Sequence, residues 1–265
     1  MLSRQQLHHF AEHGWVLEEN VLSPEQVEAY KAALDRQSHY TRPLAHNDDD
    51  EILHVDCMVN GDPLFRDWIM IPQVLEANRQ LMGAEIKYET CHAMIKRPHP
   101  QRHTDRDALR DPDQMGWHRG MRPKWGTFAD DTDPELVNCL FLNNITYLTD
   151  VEPGDGGTMI LDGSHRLEGT YATLKERCPI VESTAPAGSI LHFTETLLHA
   201  GVPILSENVR YTMFYGFTPN WFVNWPGTEV PDYILKTVRD DELRGILGGN
   251  SGYSGQYPTV EAPAE

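Results

Sequence analysis

The chain has 265 residues and carries 22 Lys and Arg against 40 Asp and Glu, a formal charge of −18. That balance argues against general nucleic-acid binding, because a phosphate backbone recruits the opposite sign. Forty per cent hydrophobic residues with six tryptophans can build a sizeable core and exclude a disordered chain. Four cysteines (Cys57, Cys91, Cys139 and Cys178) are too few and scattered for a disulfide scaffold and form no CxxC pair, which points to a reducing, cytoplasmic setting. No apolar run approaches the ~20 residues that span a bilayer. The opening MLSRQQLHHFAEHG has no uninterrupted apolar stretch of the kind that directs export, so the expectation is a soluble protein that binds no membrane.

Ser3 with Gln6, and Ser23 with Gln26 and an intervening Pro24, are two helix-capping signatures that open stretches with helical apolar spacing. The first helix carries Leu7 and Phe10 and stops at Gly14; the second carries Val27, Tyr30 and Leu34; a short strand within GWVLEENVL separates them. A third helix is expected over residues 73–82, ended by Gly83. From residue 84 the pattern changes to short strands: EIKYETCHAMI, LVNCLFLNNITYL, GTMILD, PIVES, GSILHF and VRYTMFYGF, punctuated by Gly, Pro and Asp turns. This predicts a mainly β protein with flanking helices and a double-sheet barrel or sandwich, and periodicity leaves a jelly roll and an immunoglobulin-like arrangement both open. One domain is expected over residues 1–247, followed by a mobile Gly-, Ser- and Pro-rich tail over 248–265.

Four features stand in an informative order: Trp117-His118-Arg119-Gly120, the turn-rich PGDGGTMILDGSH at 153–165, His199, and Arg210 in the last strand, eleven residues after His199. Together they resemble the phytanoyl-CoA dioxygenase branch of the iron(II)/2-oxoglutarate oxygenases, over nearly the whole chain to Phe217. The resemblance implies a double-stranded β-helix, a jelly roll of the cupin kind, that binds Fe(II), 2-oxoglutarate and O2. It makes His118 and His199 the iron ligands, and two imidazoles suit ferrous iron while leaving positions open for oxygen and a co-substrate. Each should donate its second ring N–H to an oxygen that fixes its tautomer. Arg210 becomes the anchor for the distal carboxylate of 2-oxoglutarate, whose geometry a guanidinium matches with two hydrogen bonds. Lys96 and Ser206 match further co-substrate positions, with a strand-end lysine and a turn serine as their plainer readings. Gly156, Gly157 and Gly163 read as turn formers, His165 as a brace for that turn, and His192 as a strand side chain rivalling His199.

The family's hydroxylases hold iron with His-x-Asp or His-x-Glu plus the distal histidine, but here Gly120 stands where the acid belongs. The same replacement marks the iron/2-oxoglutarate halogenases, which this chain therefore resembles a second time. The resemblance implies that chloride binds the metal in the position left open at Gly120. A hydrogen is then taken from an unactivated C–H bond, and the carbon radical takes chloride. Against this stand an intact His103-Thr104-Asp105 fifteen residues upstream, and Asp130 or Asp131 as acids that swing in. The alternatives are a hydroxylase with the same cofactors and a barrel that only binds a metabolite.

Residues 96–124 contain eight basic and four acidic residues, the one conspicuously basic stretch of an acidic chain. Arg119, Arg122 and Lys124 flank the proposed ligand with no acid among them, which favours a small anionic substrate. The nucleotide type of freestanding halogenase is similar, so a nucleoside monophosphate fits, with Trp221, Phe222 and Trp225 as faces for a base to stack on.

Overall fold

A computed structural model describes residues 1–38, 45–47, 52–83, 85–123, 127–128 and 138–248. The strands are β1 Trp15–Glu18, β2 Ala45–Asn47, β3 Ile52–Asp56, β4 Ile86–Lys96, β5 Thr127–Phe128, β6 Asn138–Cys139, β7 Leu142–Tyr147, β8 Thr158–Leu161, β9 Ile180–Ser183, β10 Ile190–Thr194, β11 His199–Ala200 and β12 Arg210–Pro219. Seven form one antiparallel sheet in the order β1-β10-β7-β12-β4-β3-β2, and three form a second in the order β11-β8-β9. The non-sequential order, with the short β11-β8-β9 sheet facing the large one, fits a jelly roll.

Alternation along the central strands decides which residues see the site. On β4, Cys91, Ala93 and Ile95 pack into the main core, while Thr90, His92 and Met94 face a cavity on the other side. The core-facing side of the sheet is covered by helices Pro24–Ser38, Pro72–Met82 and Asp241–Gly248, which contribute Leu34, Leu81 and Leu247 among others. Trp68 stacks on Tyr215 of β12 at 4.0 Å, and Asn144 of β7 donates to Asn78 of helix Pro72–Met82 at 2.9 Å. The opposite side, with Ile145, Tyr147 and Phe193, meets Ile160 of the small sheet and Leu197 beside it. The cavity therefore lies between the two sheets.

The expected helix starts are in place. Ser3 and Gln6 exchange the reciprocal capping bonds, as do Ser23 and Gln26, and Gly14 ends the first helix at φ 83°. Not anticipated were β2 and β3, helix Pro63–Asp67 and helix Asp241–Gly248. Among the described residues no helix is long and apolar enough to cross a membrane. The tail from residue 249 lies outside the described residues.

His165 does brace the turn after β8. It is 1% exposed, its Nε2 donates to the Ala11 carbonyl at 3.2 Å, and its ring lies under Gly14, where a Cβ would come within 2.6 Å of it. Burial pushes its pKa down from 6.5 to about 4. In the unfolded chain the ring takes a proton near pH 6.5, whereas the folded ring takes one only near 4, so protonation favours unfolding between those values. Stability should thus be full above pH 6.5 and fall as pH drops toward 4, by up to about 3 kcal/mol from this residue at roughly 1.4 kcal/mol per pKa unit. Denaturant midpoints at pH 7 and 4.5 check this; a His165→Gln variant should lose less between the two pH values than the parent does.

Candidate active site

His118 and His199 are 81 positions apart in sequence and adjacent in space because their backbones pair. His118 N–H donates to the His199 carbonyl at 2.9 Å, and His199 N–H returns the bond at 3.0 Å, an antiparallel bridge that lengthens the small sheet. Their ring centroids are 4.3 Å apart. His118 Nδ1 is 2.8 Å from the Gly116 carbonyl and His199 Nδ1 is 2.9 Å from the Leu197 carbonyl. A carbonyl only accepts, so each Nδ1 carries the proton and each Nε2 keeps its lone pair. Burial, with His118 alongside, pushes the His199 pKa down to about 4, which holds that imidazole neutral and able to ligate.

Both rings line a cavity of about 270 Å³. Arg210 enters it from the start of β12, buried at 5% exposure. Its Nε has no hydrogen-bond partner, and among the described residues no carboxylate forms an ion pair with it. A buried guanidinium left in this state is costly unless an anionic ligand meets it. The turn Gly154-Asp155-Gly156 packs beside it: Gly156 has φ +75°, and a Cβ there would come within 2.9 Å of Ile204 and 3.4 Å of the Arg210 guanidinium. Two imidazoles and an arginine without an ion-pair partner on one cavity wall suit ferrous iron and a dicarboxylate co-substrate.

Other expectations fall elsewhere. Lys96 is buried opposite Arg210 in the β4–β12 ladder and donates to the Val202 carbonyl at 3.1 Å, outside the cavity wall. Ser206 does not line the cavity either; its hydroxyl accepts from Asn208 N–H at 3.1 Å, as a turn serine does. Arg119, expected as a substrate contact, does not line this cavity. Its guanidinium donates to four backbone carbonyls, those of Ser164, Leu167, Gly169 and Thr196, and so fastens the segment after His118 to the rest of the fold. Arg122 is exposed on a separate cleft with Glu168 and Thr170. Trp221 is 60% exposed and outside the cavity, whereas Trp225 lines it, 5.4 Å from Phe141. Arg210 is the only Lys or Arg on the cavity wall among the described residues, so the wall offers no second cation for an anionic substrate. His103 sits on the surface against Glu207 at 3.1 Å, and His192 is turned to Glu18 at 3.0 Å; neither reaches the cavity. Lys124, Asp130 and Asp131 lie outside the described residues.

Sequence reasoning missed Glu195, Asn143 and His92, all on the cavity wall. His92 stacks on Phe214 at 4.5 Å, and burial pushes its pKa down to about 4. Glu195 follows β10, and its carboxylate lies against Gly120: a Cβ on that glycine would fall 2.2 Å from Oε1. The Asn143 amide donates to Oε2. Burial raises the Glu195 pKa, opposed by Asn143, the Gly120 N–H and the nearby His118. Among the described residues no three His, Cys, Asp or Glu side chains are gathered into a ready metal-holding group. An acid four residues before His199, at the end of an apolar strand, was the available signal.

A jelly roll with paired histidines and a buried arginine facing one cavity defines the class of iron(II)/2-oxoglutarate-dependent oxygenases. The family model for phytanoyl-CoA dioxygenase matches residues 10–212, and the chain belongs to that family. The fold is also that of HygX from Streptomyces hygroscopicus, solved with nickel and 2-oxoglutarate bound: 16% identity, 85% of this chain and 90% of that one, TM-score 0.68. Two proteins of nogalamycin biosynthesis are similar in the same sense. The carbocyclase SnoK has 19% identity over 83% of this chain and 85% of its own, and the epimerase SnoN 14% over 82% of each, both with TM-score 0.62. No curated protein sequence matches the chain.

If Arg119 is a fastener, Arg119→Met should lower stability by about 2–4 kcal/mol through four orphaned carbonyls. Chemical denaturation measures this; an unchanged midpoint would return Arg119 to the candidate substrate contacts.

Proposed function

We infer that this chain is an iron(II)/2-oxoglutarate-dependent oxygenase that oxidises a C–H bond of a small organic molecule, with oxygen as the group inserted. The observation that carries the reading is the convergence of His118, His199 and the unpartnered Arg210 on one cavity. His118 and His199 would hold iron through Nε2, each fixed by its Nδ1 bond to a carbonyl. Arg210 would grip the distal carboxylate of 2-oxoglutarate, with the hydroxyl of Thr158 on the same wall. Bound iron and 2-oxoglutarate supply the oxidising power that side chains lack. HygX with 2-oxoglutarate and hygromycin B, and SnoN with iron, α-ketoglutarate and a nogalamycin compound, show the fold accepting these partners in other proteins.

The remaining wall is mainly apolar and aromatic: Met94, Phe141, Ile145, Phe193, Phe214 and Trp225. It favours a largely uncharged substrate, presented by shape and excluded from water. Trp225 is held over the cavity by a buried pair: Glu89 accepts its backbone N–H at 2.6 Å, and Lys87 binds Asn224 at 2.7 Å.

Chlorination is the second reading, and Gly120 favours it, because no acid stands at that position. The Glu195 carboxylate in the adjoining space weighs against it, since chloride there would face a like charge. Product mass under aerobic turnover with chloride decides: a gain of one oxygen is expected, and a chlorine isotope doublet would reverse the order of the two readings. Arg210→Ala should weaken 2-oxoglutarate binding by about 2–5 kcal/mol. Calorimetry on the metal-loaded protein measures it, and an unaltered affinity rejects the anchor role.

A further inference from the structure

The geometry points to Glu195 as the carboxylate that stands beside this metal centre: it supplies the charge of the acid missing at residue 120 from the cavity wall, without joining His118 and His199 in a ready three-ligand group, and keeps the space next to Gly120 closed to a halide. The inference rests on the assignment of His118 and His199 as the metal-holding pair.

Three observations carry it. Residues 118–121 run antiparallel to 195–199: His118 and His199 exchange backbone bonds, and Met121 N–H donates to the Glu195 carbonyl at 3.4 Å. This pairing sets Gly120 beside Glu195 and commits the space next to that glycine to whichever of the two residues carries a side chain. Glu195 claims it, because a Cβ at 120 would sit 2.2 Å from Oε1, 2.8 Å from Cγ and 2.9 Å from Cδ. A side chain at residue 120 would therefore have to displace the Glu195 carboxylate from this position.

The carboxylate is also built in. Its backbone N–H donates to the Phe141 carbonyl at 3.0 Å, and the Asn143 amide donates to Oε2. It is Glu195 that lines the cavity with the two histidines, while Gly120 opens on the separate cleft of Arg122 and Glu168. A carboxylate there supplies one negative charge close to the two imidazoles, the charge that His-x-Asp supplies from its own third residue. A halide entering the same space would need to displace it from Asn143.

The test reads metal binding rather than turnover. Apoprotein is titrated anaerobically with iron(II) and cobalt(II), in sulfate and in chloride buffers, for the parent, Glu195→Gln, Glu195→Ala, and Gly120→Asp combined with Glu195→Ala. The parent should give the same cobalt spectrum in both buffers. Both Glu195 variants should bind about 10- to 100-fold more weakly, the range for lost support around a metal, and should acquire a chloride-dependent spectrum. The combined variant should recover most of the lost affinity, because the carboxylate introduced at position 120 then has the space that Glu195 gave up. Glu195→Gln keeps the shape of the side chain, so it carries the test if Glu195→Ala folds poorly. A parent spectrum that shifts with chloride, or Glu195 variants that bind like the parent, overturns the inference. His118→Ala and His199→Ala separate it from the reading beneath: if they leave metal binding intact the histidine assignment fails. If they abolish it while Glu195 variants bind normally, only the role of Glu195 fails.

Discussion

The short antiparallel pairing between residues 118–121 and 195–199 is the contact on which the site depends. Two backbone hydrogen bonds join His118 to His199, and each imidazole is then turned by a carbonyl two residues earlier, Gly116 or Leu197. Backbone pairing fixes the distance between the rings, and the Nδ1 bonds fix which nitrogen faces the cavity. Neither constraint is expensive, because the donors and acceptors involved need partners anyway. Arg119 adds a third hold from the same segment, reaching four carbonyls on the turn after β8 and on Thr196.

The large sheet gives that pairing its setting by dividing labour between its faces. On β4, Cys91, Ala93 and Ile95 bury against helices while Thr90, His92 and Met94 meet the cavity, and past the register shift beside Gly216 and Phe217 the core set becomes Ile86 and Tyr88. Buried charge appears only where it has an assignment. Lys87 and Glu89 are 2% and 0% exposed and form an ion pair at 3.7 Å, with Lys87 also bonded to Asn224 and Glu89 Oε1 accepting from Trp225 N–H and Thr228, although Glu89 Oε2 accepts no hydrogen bond. Arg210 is equally buried and has no such partner. The contrast between a buried charge with an ion-pair partner and one without, in neighbouring strands of one sheet, separates support from binding without reference to any relative.

What could be read from the sequence follows from how local each signal is. Capping serines, the glycine that ends a helix and the alternation of β12 are written within a few residues, and the corresponding elements form where expected. His118, His199 and Arg210 were legible through the residues flanking them, and the structure brings all three to one wall. Glu195 was not, because its meaning comes from a neighbour 75 positions away. Arg119 shows the converse: a run of positive charge beside a ligand looks like an anion site, and only the fold brings the carbonyls of Ser164, Leu167, Gly169 and Thr196 around it. Lys96 shows the same limit, since its strand-end position says nothing of the Val202 carbonyl that receives it.

Gly120 carries the widest gap between letter and meaning. A missing side chain reads in sequence as a position left open, and from there as room for an external anion. In space the same absence is a condition for another side chain to be present, because the Glu195 carboxylate lies where the Cβ would stand. Both accounts require glycine, and they differ in which anion faces the histidines: one that exchanges with solvent or one tethered to the chain. A tethered carboxylate is delivered by the chain itself, whereas a free halide has to be recruited from solution. It also arrives with the Asn143 amide already bound to it. The presence of Glu195, more than the loss of an acid at 120, therefore governs which chemistry the centre can support.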